Sequence, residues 1–318
     1  MSLNQICNGI ILIDKEAGMT SFCIDGKIKR MLGTKKVGHL GTLDPFATGL
    51  LPICVGDALR IIRYTDDYCK GYQCVARFGY CTDTMDTEGQ EIFGRRPTKD
   101  ELDELVRTDF KSVRSVFEEI STHTTQIPPI YSAKKINGRK AYELAREGKE
   151  IELKPQAIKI FKLEISSITI NEDTFDVDFE VLCSKGTYIR VICDELGRRL
   201  EFGAHAIKLR RLVSGPFEVA KANTINEIES KIACGDMSFL IDEENAIEYM
   251  PVLEVNRIEA SDIRLGKKIL ADRFVESLAK EEAGTRFRAR CEGALIAIVY
   301  DSYEEAGHVL RIERMLAK

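Results

Sequence analysis

Hydrophobic positions along the chain fall into blocks with two spacings. Gly9-Ile10-Ile11-Leu12-Ile13-Asp14 is a short apolar run ending at the turn signal Ala17-Gly18, which predicts a buried strand and a turn. Residues 21–32 change to helical spacing with basic polar positions and predict an amphipathic helix. Residues 50–55 and 72–80 predict two further strands. Thr98 with Glu101 three residues on is a capping box, starting a helix expected to reach about residue 110, and 113–120 resumes strand character. Phe175, Val177, Phe179 and Val181 alternate with Asp176, Asp178 and Glu180, the period of a strand with one wet face, and a helix follows over 187–200. Strands alternating irregularly with helices predict an α+β fold with a mixed sheet and not a doubly wound parallel one.

Two stretches depart from this pattern. Between 124 and 150 it breaks into Gln126-Ile127-Pro128-Pro129-Ile130-Tyr131-Ser132, a basic turn at Gly138 and a helical stretch through Leu144, as in an insertion outside the main sheet. The acidic stretch 242–248, followed by Pro251, marks a boundary and divides the chain into domains 1–247 and 248–318. Short strand signals at 252–255, 287–291, 295–300 and 309–312, punctuated by glycine, predict a small β-barrel after it.

Composition narrows the function classes. The 318 residues, 44% hydrophobic, suffice for one large domain and a small one. No apolar run approaches the roughly 20 residues of a membrane span and no basic region leads into a signal sequence, so no membrane association and a cytoplasmic location are expected. The ten cysteines form no C-x-x-C pair and no finger spacing with histidine, so they read as reduced thiols and not metal ligands. A formal charge of −5 argues against a polyanionic partner, but its distribution argues the other way. Basic runs occur at Lys27, Lys29, Arg30, Lys35 and Lys36, at Lys134, Lys135, Arg139 and Lys140, and at Lys208, Arg210 and Arg211. Each alone reads as a solvated face; three runs beside the motifs below point to RNA.

The most informative stretch, Val37 to Pro52, contains Gly38-His39-Leu40-Gly41-Thr42-Leu43-Asp44-Pro45 and then Gly49. Glycines and prolines around one carboxylate describe a tightly specified loop delivering Asp44 to the start of a buried strand, although an isolated Asp-Pro usually only organises a turn. The whole stretch resembles the catalytic motif of the bacterial tRNA pseudouridine-55 synthases, the TruB family. Lys15 with Gly18-Met19-Thr20-Ser21, Lys70-Gly71-Tyr72 through Gly89, Gln126 through Ala145, and Cys183 through Arg190 followed by Leu209-Arg210-Arg211-Leu212 resemble the family's other motifs in order. One departure is Glu16, where the family commonly has proline.

The resemblance implies a stand-alone enzyme that isomerises uridine 55 of the tRNA T-loop, with no cofactor or metal. It assigns Asp44 as nucleophile, leaving attack at the sugar or at the base open, and Arg190 as its charge partner. It places Tyr72 on the target base, Tyr188 and Leu209 around the flipped uracil, and His39 in the space left by flipped nucleotides. Lys15 and the insertion residues Lys134, Lys135, Arg139 and Lys140 are implied substrate contacts, and residues 248–318 a PUA domain near the acceptor end of tRNA. A monomer with no obligate protein partner is expected. Competing readings are a protein-assisted or guide-RNA-dependent synthase of the same family, against which the 124–150 insertion resembles the stand-alone form, a non-catalytic RNA-binding protein, and a carboxylate glycosidase, the last needing two catalytic carboxyls where only Asp44 has motif support, Asp83 and Asp86 reading as turn holders. If the basic runs dock phosphates, RNA affinity falls steeply with salt in spite of the net negative charge, and replacing Lys134, Lys135, Arg139 and Lys140 together with glutamine flattens the plot of log affinity against log salt. A filter-binding salt titration of both proteins checks this; an unchanged slope removes the insertion from the docking surface.

Overall fold

The structure is a computed structural model that describes residues 8–65, 68–132, 134–136, 138–148, 153–282, 284–304 and 307–316. Contacts divide the described chain into two compact units, one of residues 11–53 and 68–239, the other of 8–10, 54–65 and 240–316. Among the described residues no helix is long and apolar enough to cross a membrane.

The first unit follows the hydrophobic pattern closely. In chain order it contains β1 (Gly9–Lys15), α1 (Ser21–Leu32), β2 (Val37–His39), β3 (Thr48–Val55), β4 (Lys70–Phe78), the short pair β5 (Cys81–Thr82) and β6 (Glu91–Phe93), α2 (Lys99–Arg107) and α3 (Lys111–Ser121). The inserted region holds β7 (Thr125–Gln126), β8 (Lys135–Ile136), β9 (Arg139–Lys140), α4 (Ala141–Arg146) and β10 (Gln156–Ala157). Then come β11 (Ile160–Ile170), β12 (Phe175–Cys183), α5 (Ile189–Arg199) and β13 (Ala204–Ser214). The main sheet runs β11-β12-β4-β13-β3-β1, antiparallel from β11 to β13 and parallel between β13 and β3, the expected mixed sheet.

Local chemistry explains the helix ends. Thr20 caps α1 by accepting from the Cys23 amide, and Gly33 ends it in the left-handed conformation. Thr98 and Glu101 form the expected capping box on α2, which ends three residues before the expected 110. The strand expected over 113–120 is wrong: these residues belong to α3. Val113, Phe117 and Ile120 are its buried residues, an i, i+4, i+7 stripe whose apolar content resembles a strand but whose spacing is helical. Phe117 meets Phe179 of β12 edge to face at 5.4 Å, so the misread segment is one cover of the sheet.

Register places the residues that matter. Tyr72 on β4 is paired with Val181 of β12 on one side and Arg211 of β13 on the other, and Arg211 is in turn paired with Gly49 of β3. One row across four strands therefore sets Tyr72 beside Arg211 and both near the end of the 40–47 loop. Gly49 is required there: its φ is +95°, and a Cβ would lie 2.3 Å from the Arg211 carbonyl oxygen and 2.9 Å from its nitrogen. Under α5, a Cβ on Gly197 would lie 1.9 Å from the Ala204 nitrogen, so this glycine lets the helix that carries Arg190 rest on β13.

In the second unit, strands Val252–Glu254, Arg286–Cys291, Ala294–Glu304, Gly307–Met315 and Ile269–Leu270 form a five-stranded sheet in that order. Leu253, Phe274, Phe287, Ile296, Val299 and Leu310 belong to its core. The expected small C-terminal β-structure is present.

Gly49→Ala is expected to cost about 1–3 kcal/mol in backbone conformation alone, with displacement of Arg211 added. Urea unfolding followed by circular dichroism should show a lower midpoint at an unchanged slope; a wild-type midpoint contradicts the close β3–β13 approach.

Candidate active site

The loop between β2 and β3 is held from three directions before any functional group is considered. The Lys15 ammonium at the end of β1 donates to the carbonyls of Glu16 (2.9 Å), Met19 (2.8 Å) and Pro45 (3.1 Å), and the residue is only 1% exposed. Burial pulls this amine down to about 8, against the opposing pull of the Asp44 and Glu88 carboxylates. Ser21, in the first turn of α1, exchanges hydrogen bonds with Leu43, its hydroxyl donating to the carbonyl and accepting from the amide. The buried side chains of Leu43 and Ala47 fix both sides of Asp44, and the Ala47 amide donates to the Asp44 carbonyl at 3.1 Å. Lys15 was expected to contact substrate; its ammonium is instead directed at the loop backbone.

Arg190 reaches Asp44 from α5, where it follows the N-cap residue Tyr188 by two positions. Its guanidinium is 3% exposed and spans four acceptors. Nη2 donates to Asp44 Oδ1 (3.2 Å) and to the Tyr131 carbonyl (3.0 Å), and Nη1 to Asp86 Oδ2 (2.9 Å) and the Thr84 carbonyl (2.7 Å). Nε lies 2.8 Å from Asp44 Oδ2, a close ionic contact without hydrogen-bond alignment. Burial raises the Asp44 carboxyl above its ordinary value and the like charge of Asp86 adds to this, while Arg190, by charge and hydrogen bond, and Lys15 pull it down. The result is a carboxylate that is more basic than a surface aspartate and held in one orientation.

Asp86 is the functional residue that the sequence did not reveal. Its Oδ1 accepts from the Thr84 hydroxyl (2.6 Å) and the Glu88 amide (2.9 Å), the turn-holding task expected of it, while Oδ2 faces Arg190. Asp83 only holds the turn, accepting from the Gln90 amide. The missed signal was an excess: Thr82-Asp83-Thr84-Met85-Asp86 has more carboxylates than one turn consumes. Because Asp86 is 2% exposed and both its oxygens are engaged, it is no second catalytic carboxyl, which weighs against the glycosidase reading.

Asp44 and Arg190 stand between two cavities. The first, of about 390 Å³, is lined by Tyr72, Tyr188, Leu209, Lys134 and Lys185 among others; the second, of about 530 Å³, by Thr20, Phe22, Glu88 and Tyr131 among others. Tyr72, Tyr188 and Leu209, expected around one base, are thus brought together. Arg211, 1% exposed, donates to the Leu50 carbonyl (2.7 Å) and the Gly41 carbonyl (3.0 Å) and is the strand partner of Tyr72; burial pushes the titration of the Tyr72 phenol up, and the Arg211 charge opposes this. Its partner in the basic run, Arg210, makes a two-pronged ion pair with Asp14. The third basic run is therefore not the open phosphate surface expected; Lys208 alone of the three is exposed.

The remaining expected residues divide. Lys134 lies at the first cavity and donates to Gln156 Oε1 at 3.0 Å. Arg139 pairs with Glu147 on the insertion, and the side chains of Lys135 and Lys140 lie outside the described residues. His39 lines neither cavity: one ring nitrogen meets Asp25 at 2.9 Å and the other the Thr42 hydroxyl at 3.1 Å, with the edge of the Phe22 ring 5.2 Å away between centroids. It braces Thr42, which borders both cavities.

Comparisons with known proteins identify the family. The TruB family pseudouridylate synthase N-terminal domain matches residues 29–189 and the tRNA pseudouridylate synthase B C-terminal domain residues 190–249. A protein of Syntrophotalea carbinolica named tRNA pseudouridine synthase B is 37% identical over 293 residues, 92% of either chain. A protein of the same name from Bacillus velezensis is 39% identical over 246 residues, 77% of either chain. Among solved structures, an H/ACA RNP bound to a substrate RNA containing 2′-deoxyuridine matches with a TM-score of 0.68 at 19% identity, covering 98% of this chain and 86% of that one. A Cbf5-Nop10-Gar1 complex matches with a TM-score of 0.69 at 20% identity, covering 100% and 88%; at such identities the likeness is one of fold. With its family match over residues 29–249 and relatives this similar, the chain belongs to the TruB family of pseudouridylate synthases.

Proposed function

We propose that the protein isomerises a uridine of tRNA, uridine 55 of the T-loop, to pseudouridine, with Asp44 as the nucleophile. The observation that carries the reading is an Asp44 carboxylate, oriented by Arg190, at the wall of a cavity bounded by Tyr72, Tyr188 and Leu209. Among the described residues lining that cavity, Asp44 is the only acidic one. The relatives' names supply the tRNA substrate.

The chemistry fits this inventory. Isomerisation breaks the N1–C1′ bond of uridine, turns the base and joins C5 to C1′; C5 loses a proton and N1 gains one, with no net oxidation. Asp44 attacks ribose C1′ or uracil C6, and its raised basicity strengthens either attack. The base must leave the RNA stack to reach it, so the aromatic walls replace stacking lost on flipping. Tyr72 presents its ring to the base, and its phenol, at the same cavity as Arg211, assists removal of the C5 proton. Lys134 and Lys185 at the same cavity supply cations for the flanking phosphates. Residues 1–247 carry the catalysis, and residues 248–318 act as a PUA-like domain on the acceptor side of tRNA. The protein works as a cytoplasmic monomer.

Incubating unmodified tRNA transcript with the protein and mapping pseudouridine by position is the direct test. The expected product is a single pseudouridine at position 55, absent with Asp44→Asn although that variant binds tRNA with wild-type affinity. Modification at another position overturns the site assignment, and product formation by Asp44→Asn overturns the nucleophile. Tyr72→Ala should lose base stacking of about 1–3 kcal/mol and slow turnover further than it weakens binding. Single-turnover rates of Tyr72→Phe isolate the phenol, and a wild-type rate in that variant leaves the hydroxyl without a role.

A further inference from the structure

The inserted region begins and ends on two glutamines that face each other. Gln126 of β7 and Gln156 of β10 are direct antiparallel partners, with Thr125 opposite Ala157, so the chain between them, residues 127–155, closes on one small ribbon. Both amides reach across to the same turn. Gln126, 7% exposed, donates through Nε2 to the Tyr188 carbonyl (3.1 Å) and accepts on Oε1 from the Tyr188 amide (2.8 Å), so that its side chain engages both polar groups of one peptide residue. Gln156 donates through Nε2 to the Gly186 carbonyl (2.6 Å) and accepts on Oε1 from the Lys134 ammonium (3.0 Å).

These contacts fall where the reacting pocket is built. Tyr188 is a wall of the first cavity and the N-cap of α5, a cap with no side-chain hydrogen bond of its own. Two residues later Arg190 holds Asp44, and the same guanidinium donates to the Tyr131 carbonyl, a further tie to the insertion. A glutamine amide satisfies one donor and one acceptor at once; a glutamate at 126 would turn a second lone pair towards the Tyr188 carbonyl. The chemistry therefore calls for an amide, and sequence alone gives no reason for it.

We propose that Gln126 and Gln156 are positioning residues, a pair of amides at the root of the insertion that fixes the 186–188 main chain. Through it, RNA contact at Lys134 is linked to the placement of Tyr188 and Arg190 around Asp44. The inference rests on the Asp44 reading above and assigns to the insertion a second task besides gripping RNA. Gln126 does not line the first cavity, and Gln156 borders it with both polar atoms of its amide engaged by Lys134 and Gly186.

A double-mutant cycle on the full-length protein tests this, with Gln126→Met, Lys134→Met and their combination assayed for single-turnover rate and for tRNA affinity. Gln126 and Lys134 share no direct hydrogen bond, so a purely structural role predicts rate effects that multiply. The relay predicts that Gln126→Met lowers the single-turnover rate by about 10- to 100-fold at unchanged affinity, and that adding Lys134→Met lowers it no further. Multiplying effects, or a loss confined to affinity, overturn the proposal. Gln126→Glu separates volume from hydrogen bonding: a rate as low as that of Gln126→Met supports the amide, and a wild-type rate overturns it. Should Gln126→Met fail to fold, Gln156→Met at its less buried position gives the same cycle with Gln126→Glu in place of Lys134→Met. Wild-type and Asp44→Asn proteins run alongside separate the two readings, since product from wild type but not from Asp44→Asn leaves the nucleophile standing whatever the cycle shows.

Discussion

One buried guanidinium shared by two carboxylates is the constraint around which the catalytic unit is organised. Arg190 carries a permanent charge at 3% exposure, a position tolerable only if the charge is paired and its donors are used. Asp86 supplies a partner that is itself fully engaged, and Asp44 a partner with a third of its side-chain surface still open to the cavities. The inner pair anchors; the outer carboxylate is the one the proposed reaction uses. Losing one member of such a buried group typically costs about 3–5 kcal/mol, because the rest is left uncompensated.

That single group draws on four separate stretches of chain. Asp44 comes from the 40–47 loop, Thr84 and Asp86 from the turn between β5 and β6, Tyr131 from the insertion and Arg190 from α5. Each is delivered by ordinary local physics: the Lys15 and Ser21 bonds to the loop, the Thr82 to Gln90 turn, the Gln126 amide on Tyr188, and the glycine contact that lets α5 sit on β13. The row Val181–Tyr72–Arg211–Gly49 adds the aromatic wall at the correct height. Fold stability and site geometry are therefore specified by the same residues.

The sequence made the parts legible to different degrees. Alternating Phe175 to Val181, the Thr98–Glu101 box and the run at 9–14 each carry a single physical period, and each formed the expected element. Residues 113–120 misled through their β-branched and aromatic content, although the spacing of Val113, Val116, Phe117 and Ile120 is helical, and the packing of Phe117 on Phe179 bears the helix out. Asp44, Tyr72, Tyr188, Leu209 and Arg190 were visible through motif order. Asp86 was hidden behind its turn role and Arg211 behind a basic run. The Gln126 and Gln156 contacts were hidden because a glutamine's partner across 62 or 30 residues leaves no periodic trace. His39 and Lys15 show the converse: motif membership marked them, yet the structure spends them on Thr42 and on loop carbonyls behind the reacting surface.

The acid limb of the single-turnover rate tests the central claim most directly. Burial and the Asp86 charge raise the Asp44 carboxyl above its ordinary value of 3.8, so the proton returns to it, and the nucleophile is lost, as pH falls through a midpoint above that value. Asp86→Asn removes the like charge and leaves Arg190 to Asp44 alone, so the same midpoint should move to lower pH while the variant stays folded. A limb that shifts down in Asp86→Asn supports the shared-guanidinium account; a limb that stays where it was, or moves up, contradicts it.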